Sequence, residues 1–429
     1  MGYIYSAAIR YIHITLQEGK MKNYFKGWYR FLTTAIIFIT LSLQAQWSGD
    51  PTVNSPICAA GWNQTSPSLV SDGAGGAIIA FEYYHTFSTL YDIYVQHIDA
   101  NGVLQWPVDG VPISTAAFDQ RLRTPSIISD GAGGAIICWE DSRNGGSNVD
   151  IFAQRIDSSG TVQWTTDGVE ICTATYSQFL PSIVSDGAGG AIICWEDSRN
   201  GISYDIYAQH IDANGVLQWT SNGIAICTAN YDQTHTTIIS DGSNGAIILW
   251  RDQRILSNNA IYAQHVDAGG ILHWSNNGVL ISQTGGYPYA IGDGAGGAII
   301  TWQAAGDIHA QRIAANGSIQ WGVNSVPICT AANNQDTPQI TGDGNGGAII
   351  TWSDRRSVTN SDIYVQHINE IGVNLWDVDG VPISIAASNQ NAPTITDDGA
   401  GGAIITWYDI RGPNYDIYAQ CVDSSGAVQ

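Results

Sequence analysis

Seventeen residues, SDGAGGAIICWEDSRNG, occupy positions 129–145 and recur letter for letter at 185–201. A chain that repeats itself folds as copies of one small unit, and the period of the repeat decides which unit. The Asp-Gly pair inside the repeat returns at Asp72, Asp130, Asp186, Asp241, Asp293, Asp343 and Asp398, at spacings of 58, 56, 55, 52, 50 and 55 residues. Seven units therefore account for residues 46–429, which read as one domain with no room for a second.

Within a unit the apolar pattern is that of strands. TPSIISD is a strand of small residues, GAGG a tight turn, AIICW a continuous apolar run suited to a strand covered on both faces, and DIFAQRID a more polar third strand. The segment TVQW follows a short SSG or ANG turn and is expected to be the fourth. No unit shows helical periodicity with caps. Four short strands at this period predict an all-β chain, a seven-bladed β-propeller with four-stranded blades.

Large aromatics recur in register. The second strand of each unit carries Phe81, Trp139, Trp195, Trp250, Trp302, Trp352 or Trp407, one for each seam between blades. A second series, Trp106, Trp164, Trp219, Trp274, Trp321 and Trp376, has six members, because the seventh unit reads SSGAVQ to Gln429 where the second unit reads SSGTVQW. Trp47 is expected to supply the seventh, so that N- and C-terminal segments together close the ring and leave no sheet edge open.

Residues 1–45 stand apart. From Met21, basic Lys22, Lys26 and Arg30 precede an apolar run over Phe31–Leu43 and small Ala45, the layout of a secretory signal. Residues 1–20 read as an upstream mis-start and 21–45 as a signal peptide, so a secreted or cell-surface protein is expected, with no membrane insertion after cleavage. Removing residues 1–45 takes the net charge from −22 to −26 and leaves no lysine. That surface repels nucleic acid and anionic lipid, and lysine chemistry is excluded. The seven cysteines mostly fall at positions where other units carry Ser, Ala or Thr, so they read as small buried residues rather than a disulfide set.

The repeated residues SDGAGGAII-W-D-R, DIYAQ-ID and the Q-W pair resemble those of secreted propellers of the sialidase-like superfamily shape, of the kind exported by Bacteroidota through the type IX route. The resemblance covers residues 46–429 and implies the propeller fold and an extracellular place. It does not extend to the sialidase Asp-box, Ser-x-Asp-x-Gly-x-x-Trp, whose spacing SDGAGGAIICW does not meet.

Five units place Asp-x-Arg after the second strand: Asp141/Arg143, Asp197/Arg199, Asp252/Arg254, Asp354/Arg356 and Asp409/Arg411. A ring of guanidinium forks could receive carboxylates, but a feature present in most blades answers a need of every blade, so structural pairing within the repeat is expected. Gln96 and its six equivalents suit buried amides that bond backbone. His97, His210, His265 and His367 occupy equivalent places in different blades and should diverge, so no metal and no cofactor is expected. Binding belongs where the repeat breaks, in the loops. Unit one writes FEYYHTFSTLY in place of WEDSRNG, bringing Tyr83, Tyr84, His85 and Phe87; the next loop adds Phe118, Arg121 and Arg123, and unit five offers Tyr287 and Tyr289. Aromatic faces beside guanidinium suit a glycan or a peptide.

Three functions fit this pattern: a monomeric, non-catalytic binding or adhesion propeller, a sialidase-like glycoside hydrolase, and a structural repeat module of a larger surface protein. Glycoside hydrolysis needs paired carboxylates, and residues 46–429 hold only five glutamates, with the arginines spread symmetrically. Binding is the expected role.

Overall fold

The computed structural model describes residues 55–84, 90–122, 126–145, 148–255, 259–322, 325–412 and 414–429. The chain divides into two units, Met1–Ser55 with Asn101–Val103, and Pro56–Ala100 with Leu104–Gln429. The second carries the seven expected sheets. Among the described residues every helix or strand element is a strand, and each sheet is an antiparallel meander taken in chain order. Blade 3 is representative: Gln178–Ser185, Ala191–Asp197, Asp205–Ile211 and Ile224–Cys227.

The second strand explains why its sequence is apolar throughout. All seven residues of Ala135–Asp141 are buried. Alternation sends Ile137 and Trp139 toward blade 1, and Ile136 and Cys138 toward blade 3. Trp139, Trp195, Trp250, Trp302 and Trp352 are fully buried in five successive seams, and Trp407 serves the sixth. Each such indole contributes on the order of 3–5 kcal/mol against truncation to alanine.

The fourth strand is not TVQW. That segment makes a single bridge, Ile156 to Val162, and the outer strand comes later, at Val169–Cys172 and its equivalents. TVQW is spent instead on placing its tryptophan. The Trp164 backbone N–H donates to Gln154 Oε1 at 3.0 Å, and the indole Nε1–H donates to Ala213 O of blade 3 at 3.1 Å, with its ring against Gly215. The second tryptophan series therefore fastens each blade to a turn of the next.

Seam geometry also marks a difference at the two ends of the series. Ile192 and Ile206 of blade 3 face blade 4 with no exposure, whereas their blade 7 equivalents Ile404 and Ile417 are 42% and 76% exposed. Leu69 of blade 1 is 67% exposed where blade 3 buries Ile183. Blade 7 has three strands among the described residues. The expected closing residue, Trp47, lies outside them. Ala59 N–H donates to Asp109 Oδ1 at 2.9 Å, the bond that Thr115, Thr173, Thr228 and Thr330, each following an outer strand, make to Asp167, Asn222, Asn277 and Asp379 of the next blade. Ile57-Cys58 thus stand against blade 1 as the end of an outer strand would.

Candidate functional site

Strand connectivity puts two loop families, second-to-third strand and blade-to-blade, at one end of the sheets, here called the upper face. They are tied together: Ser198 N–H donates to Ser177 O at 3.0 Å and Ser142 N–H to Asp119 O at 2.9 Å. The lower face carries the Asp-Gly turns. There Asp130 Oδ1 accepts the N–H groups of Ala132 and Gly134, both at 2.8 Å, and a Cβ at Gly134 would stand 2.2 Å from Ile156 O.

The free oxygen of each such aspartate explains the histidines. His97, His210, His265 and His367 contact Asp72, Asp186, Asp241 and Asp343 at 2.8–2.9 Å through Nε2, and Arg155 and Arg312 do the same with Asp130 and Asp293. These pairs join first and third strands within a blade. Among the described residues no group of three or more metal-ligating side chains occurs.

The Asp-x-Arg pairs are likewise spent inside the fold. Asp197 is fully buried and receives Arg199 Nε at 2.8 Å, Arg199 Nη2 at 2.6 Å and the Trp195 indole at 2.7 Å. Arg199 lies 3.6 Å over the Tyr207 ring and reaches Asn222 O, before the outer strand of its own blade, at 2.9 Å. Arg143, Arg254 and Arg356 repeat these contacts with Asp141, Asp252 and Asp354, and Arg411 pairs with Asp409 over Tyr418. The aspartates opening the third strands are held by asparagines instead, as Asn200 holds Asp205 and Asn360 holds Asp362. The cysteines form no disulfide; Cys172 Sγ lies 3.3 Å from Arg199 Nη2, and burial pushes its thiol up to about 12.

The loop residues singled out by broken repetition fall into two groups. In the first, Tyr83 is buried against Tyr94 at 5.2 Å, Tyr84 packs on Tyr91 at 5.1 Å, and Arg121 lies 3.5 Å over Tyr91 while pairing with Asp119 at 3.2 Å. Tyr83 is thus packing, whereas Phe118 is exposed. His85, Phe87 and Arg123 lie outside the described residues. In the second group Tyr287 is exposed and meets His235 of blade 4 at 4.4 Å, and Tyr289 opens the first strand of blade 5.

Two features of this face go beyond the sequence reading, which singled out only Phe118 among the residues concerned. Directly after the second-strand aromatic stand Glu82, Glu140, Glu196, Arg251, Gln303, Ser353 and Tyr408, a position that varies while an aromatic precedes it in every unit. The three glutamates accept the backbone N–H of Leu122, Leu180 and His235 in the following blade, at 2.8, 2.9 and 2.6 Å. Burial, with Asp232 and Glu140 nearby, pushes the Glu196 carboxyl up to about 7, and burial with Arg251 beside it holds His235 below the usual imidazole range. The second feature is a set of exposed rings. Two residues before the glutamine that opens a first strand stand Trp62, Phe118, Tyr176 and Tyr231, in blades 1 to 4, all exposed.

No family model and no curated protein matches the chain. Among solved structures it is similar to a putative 6-phosphogluconolactonase from Bacteroides fragilis NCTC 9343, with 16% identity, TM-score 0.44, and coverage of 84% of this chain and 95% of that one. A polysaccharide lyase of family PL25, an ulvan lyase, shows 10% identity and TM-score 0.47 over 87% of this chain and 96% of its own. The NanB sialidase from Streptococcus pneumoniae shows 11% identity and TM-score 0.37 over 88% and 68%.

Proposed function

We propose that the protein is a secreted or cell-surface binding propeller that holds a glycan or a peptide on its upper face without transforming it. The observation that carries this reading is the division of labour between the repeat and its exceptions. Every Asp-x-Arg pair is engaged within the fold, whereas the rings of Phe118 and Tyr287 stand exposed in upper-face loops at positions whose residue type varies between blades. Glu196, whose carboxyl titrates near neutrality as a hydrolytic acid would, is buried and occupied by the His235 N–H. The reaction-class alternative is therefore served poorly by the carboxylate best tuned for it.

The test pairs a glycan and peptide array with a fluorogenic sialoside assay on residues 46–429. Binding without turnover supports the reading. Turnover of the sialoside refutes it in favour of a hydrolase, and silence on the array refutes it in favour of a structural module.

A further inference from the structure

The loop before each first strand makes the same turn in most blades, and the residue at its bend has a left-handed backbone. In blades 6 and 7 that residue is Asn333 or Ser388, at φ +65° and +72°. Blades 2, 3 and 4 place Phe118, Tyr176 and Tyr231 there instead, at φ +69°, +63° and +68°. Asparagine tolerates this conformation through its short polar side chain, and a bulky aromatic does not. Nor does the ring recover the strain by burial, since Phe118, Tyr176 and Tyr231 remain 46%, 53% and 49% exposed. The turn itself asks only for a backbone carbonyl, which takes the Nε2–H of Gln120, Gln178 or Gln233 and equally that of Gln335 and Gln390. Blades 6 and 7 build the bend without an aromatic, so strained and exposed rings on consecutive blades mark a surface suited to contact.

The nearby charges decide what the surface contacts. Asp119 and Asp232 follow two of the rings, but Asp119 accepts Tyr91 N–H at 3.3 Å and Arg121 Nη2 at 3.2 Å, and Asp232 accepts Tyr204 N–H at 3.0 Å. Their carboxylates hold loops rather than wait for a cation. The overall charge of −22 disfavours a polyanion. What remains is stacking on flat rings, one in each of blades 1 to 4.

We propose that the upper-face arc of Trp62, Phe118, Tyr176 and Tyr231 is a platform for an uncharged polysaccharide chain, whose sugar rings stack on successive blades. This rests on the binding role proposed above and names its ligand class. The test is affinity electrophoresis of the folded protein in native gels containing xylan, galactomannan, hydroxyethylcellulose or, as the anionic arm, polygalacturonate. Expected is retardation by at least one neutral polymer and none by polygalacturonate. Phe118→Asn, Tyr176→Asn and Tyr231→Asn should each weaken retardation roughly two- to tenfold, and the triple variant should abolish it. Because asparagine relieves the left-handed strain, the same variants should melt at or above the wild-type temperature, which separates lost contact from lost fold. Retardation that survives the triple variant, a preference for polygalacturonate, or melting temperatures that fall with binding would each overturn the platform. Silence of every gel with a peptide retained on the array overturns the platform and leaves the binding role standing; silence of both overturns the two together.

Discussion

Replacing Glu196 by glutamine should stabilise the protein, and only above mildly acidic pH. In the unfolded chain this carboxyl ionises at about its ordinary 4.5, and in the folded protein at about 7, chiefly because burial penalises the anion. Between those values the unfolded chain has released a proton that the folded one keeps, so stability falls as pH rises from about 4.5 to about 7 and then levels off. The full penalty is on the order of 3 kcal/mol, from roughly 1.4 kcal/mol for each pKa unit. Glutamine cannot ionise, yet its amide oxygen can still accept the His235 N–H that Glu196 Oε1 takes at 2.6 Å. Glu196→Gln should therefore match the wild type at pH 4.5 and exceed it by up to about 3 kcal/mol at pH 8.5, a shift of several degrees in melting temperature. Urea unfolding of both proteins across that range measures the difference. A gap that stays constant with pH, or a variant weaker than wild type at pH 8.5, refutes the argument that burial of this carboxyl is what perturbs it.

Other perturbations read other parts of the fold. Arg199→Ala strands the fully buried Asp197 and should cost about 3–5 kcal/mol in urea unfolding, with Asp197→Asn in the same chain restoring part of it. Gly190→Ala puts a Cβ 2.3 Å from Ile211 O, so soluble folded yield should collapse, whereas Gly131→Ala has open space at its Cβ and should suffer only from its φ of +76°. Asp186, Asp241 and Asp343 are held below the usual carboxylate range by their histidines and turn N–H groups against the opposing effect of burial, so their contribution is present above the ordinary carboxylate pKa and is lost as pH falls through and below about 4, visible as a falling thermal midpoint. Deleting residues 46–58 should lower the melting temperature sharply if that segment covers the exposed flank of Ile404 and Ile417, and leave it unchanged if it does not.

The sequence disclosed the blades because each blade solves the same local problem in the same way. The apolar run AIICW needs cover on both faces, and only stacked sheets supply it; repeated glycines such as Gly134 and Gly215 sit where a side chain would meet a carbonyl or an indole. The misplaced fourth strand shows where local reading stops. TVQW has the alternation of a strand, yet its tryptophan is drawn into the neighbouring blade, and Val169–Cys172 pairs in its place. The pairing of Asp186 with His210 across 24 residues could be read only once the strands were in register. At the candidate site, aromatic residues in unit one were legible as departures from the repeat, but Tyr83 proved to be packing, while Tyr176 and Tyr231 were not singled out. What distinguishes them is a backbone angle, and no composition or spacing carries it.

The repeat supplies its own control for reading function. A group found in most or all blades has an explanation that does not involve a ligand, and the bonds of Asp197, Gln209 and His210 provide one for each. A group that varies on a constant scaffold is different, because the fold has already shown that it can do without it. Blade 6 builds the same bend with Asn333 that blade 3 builds with Tyr176, at nearly the same angle and with the same carbonyl engaged. The comparison is internal to one chain, with the bend and its carbonyl bond held fixed while the ring and the loop beside it change. An exposed ring that the turn does not need, on a backbone that disfavours it, is the kind of exception on which the proposed platform rests.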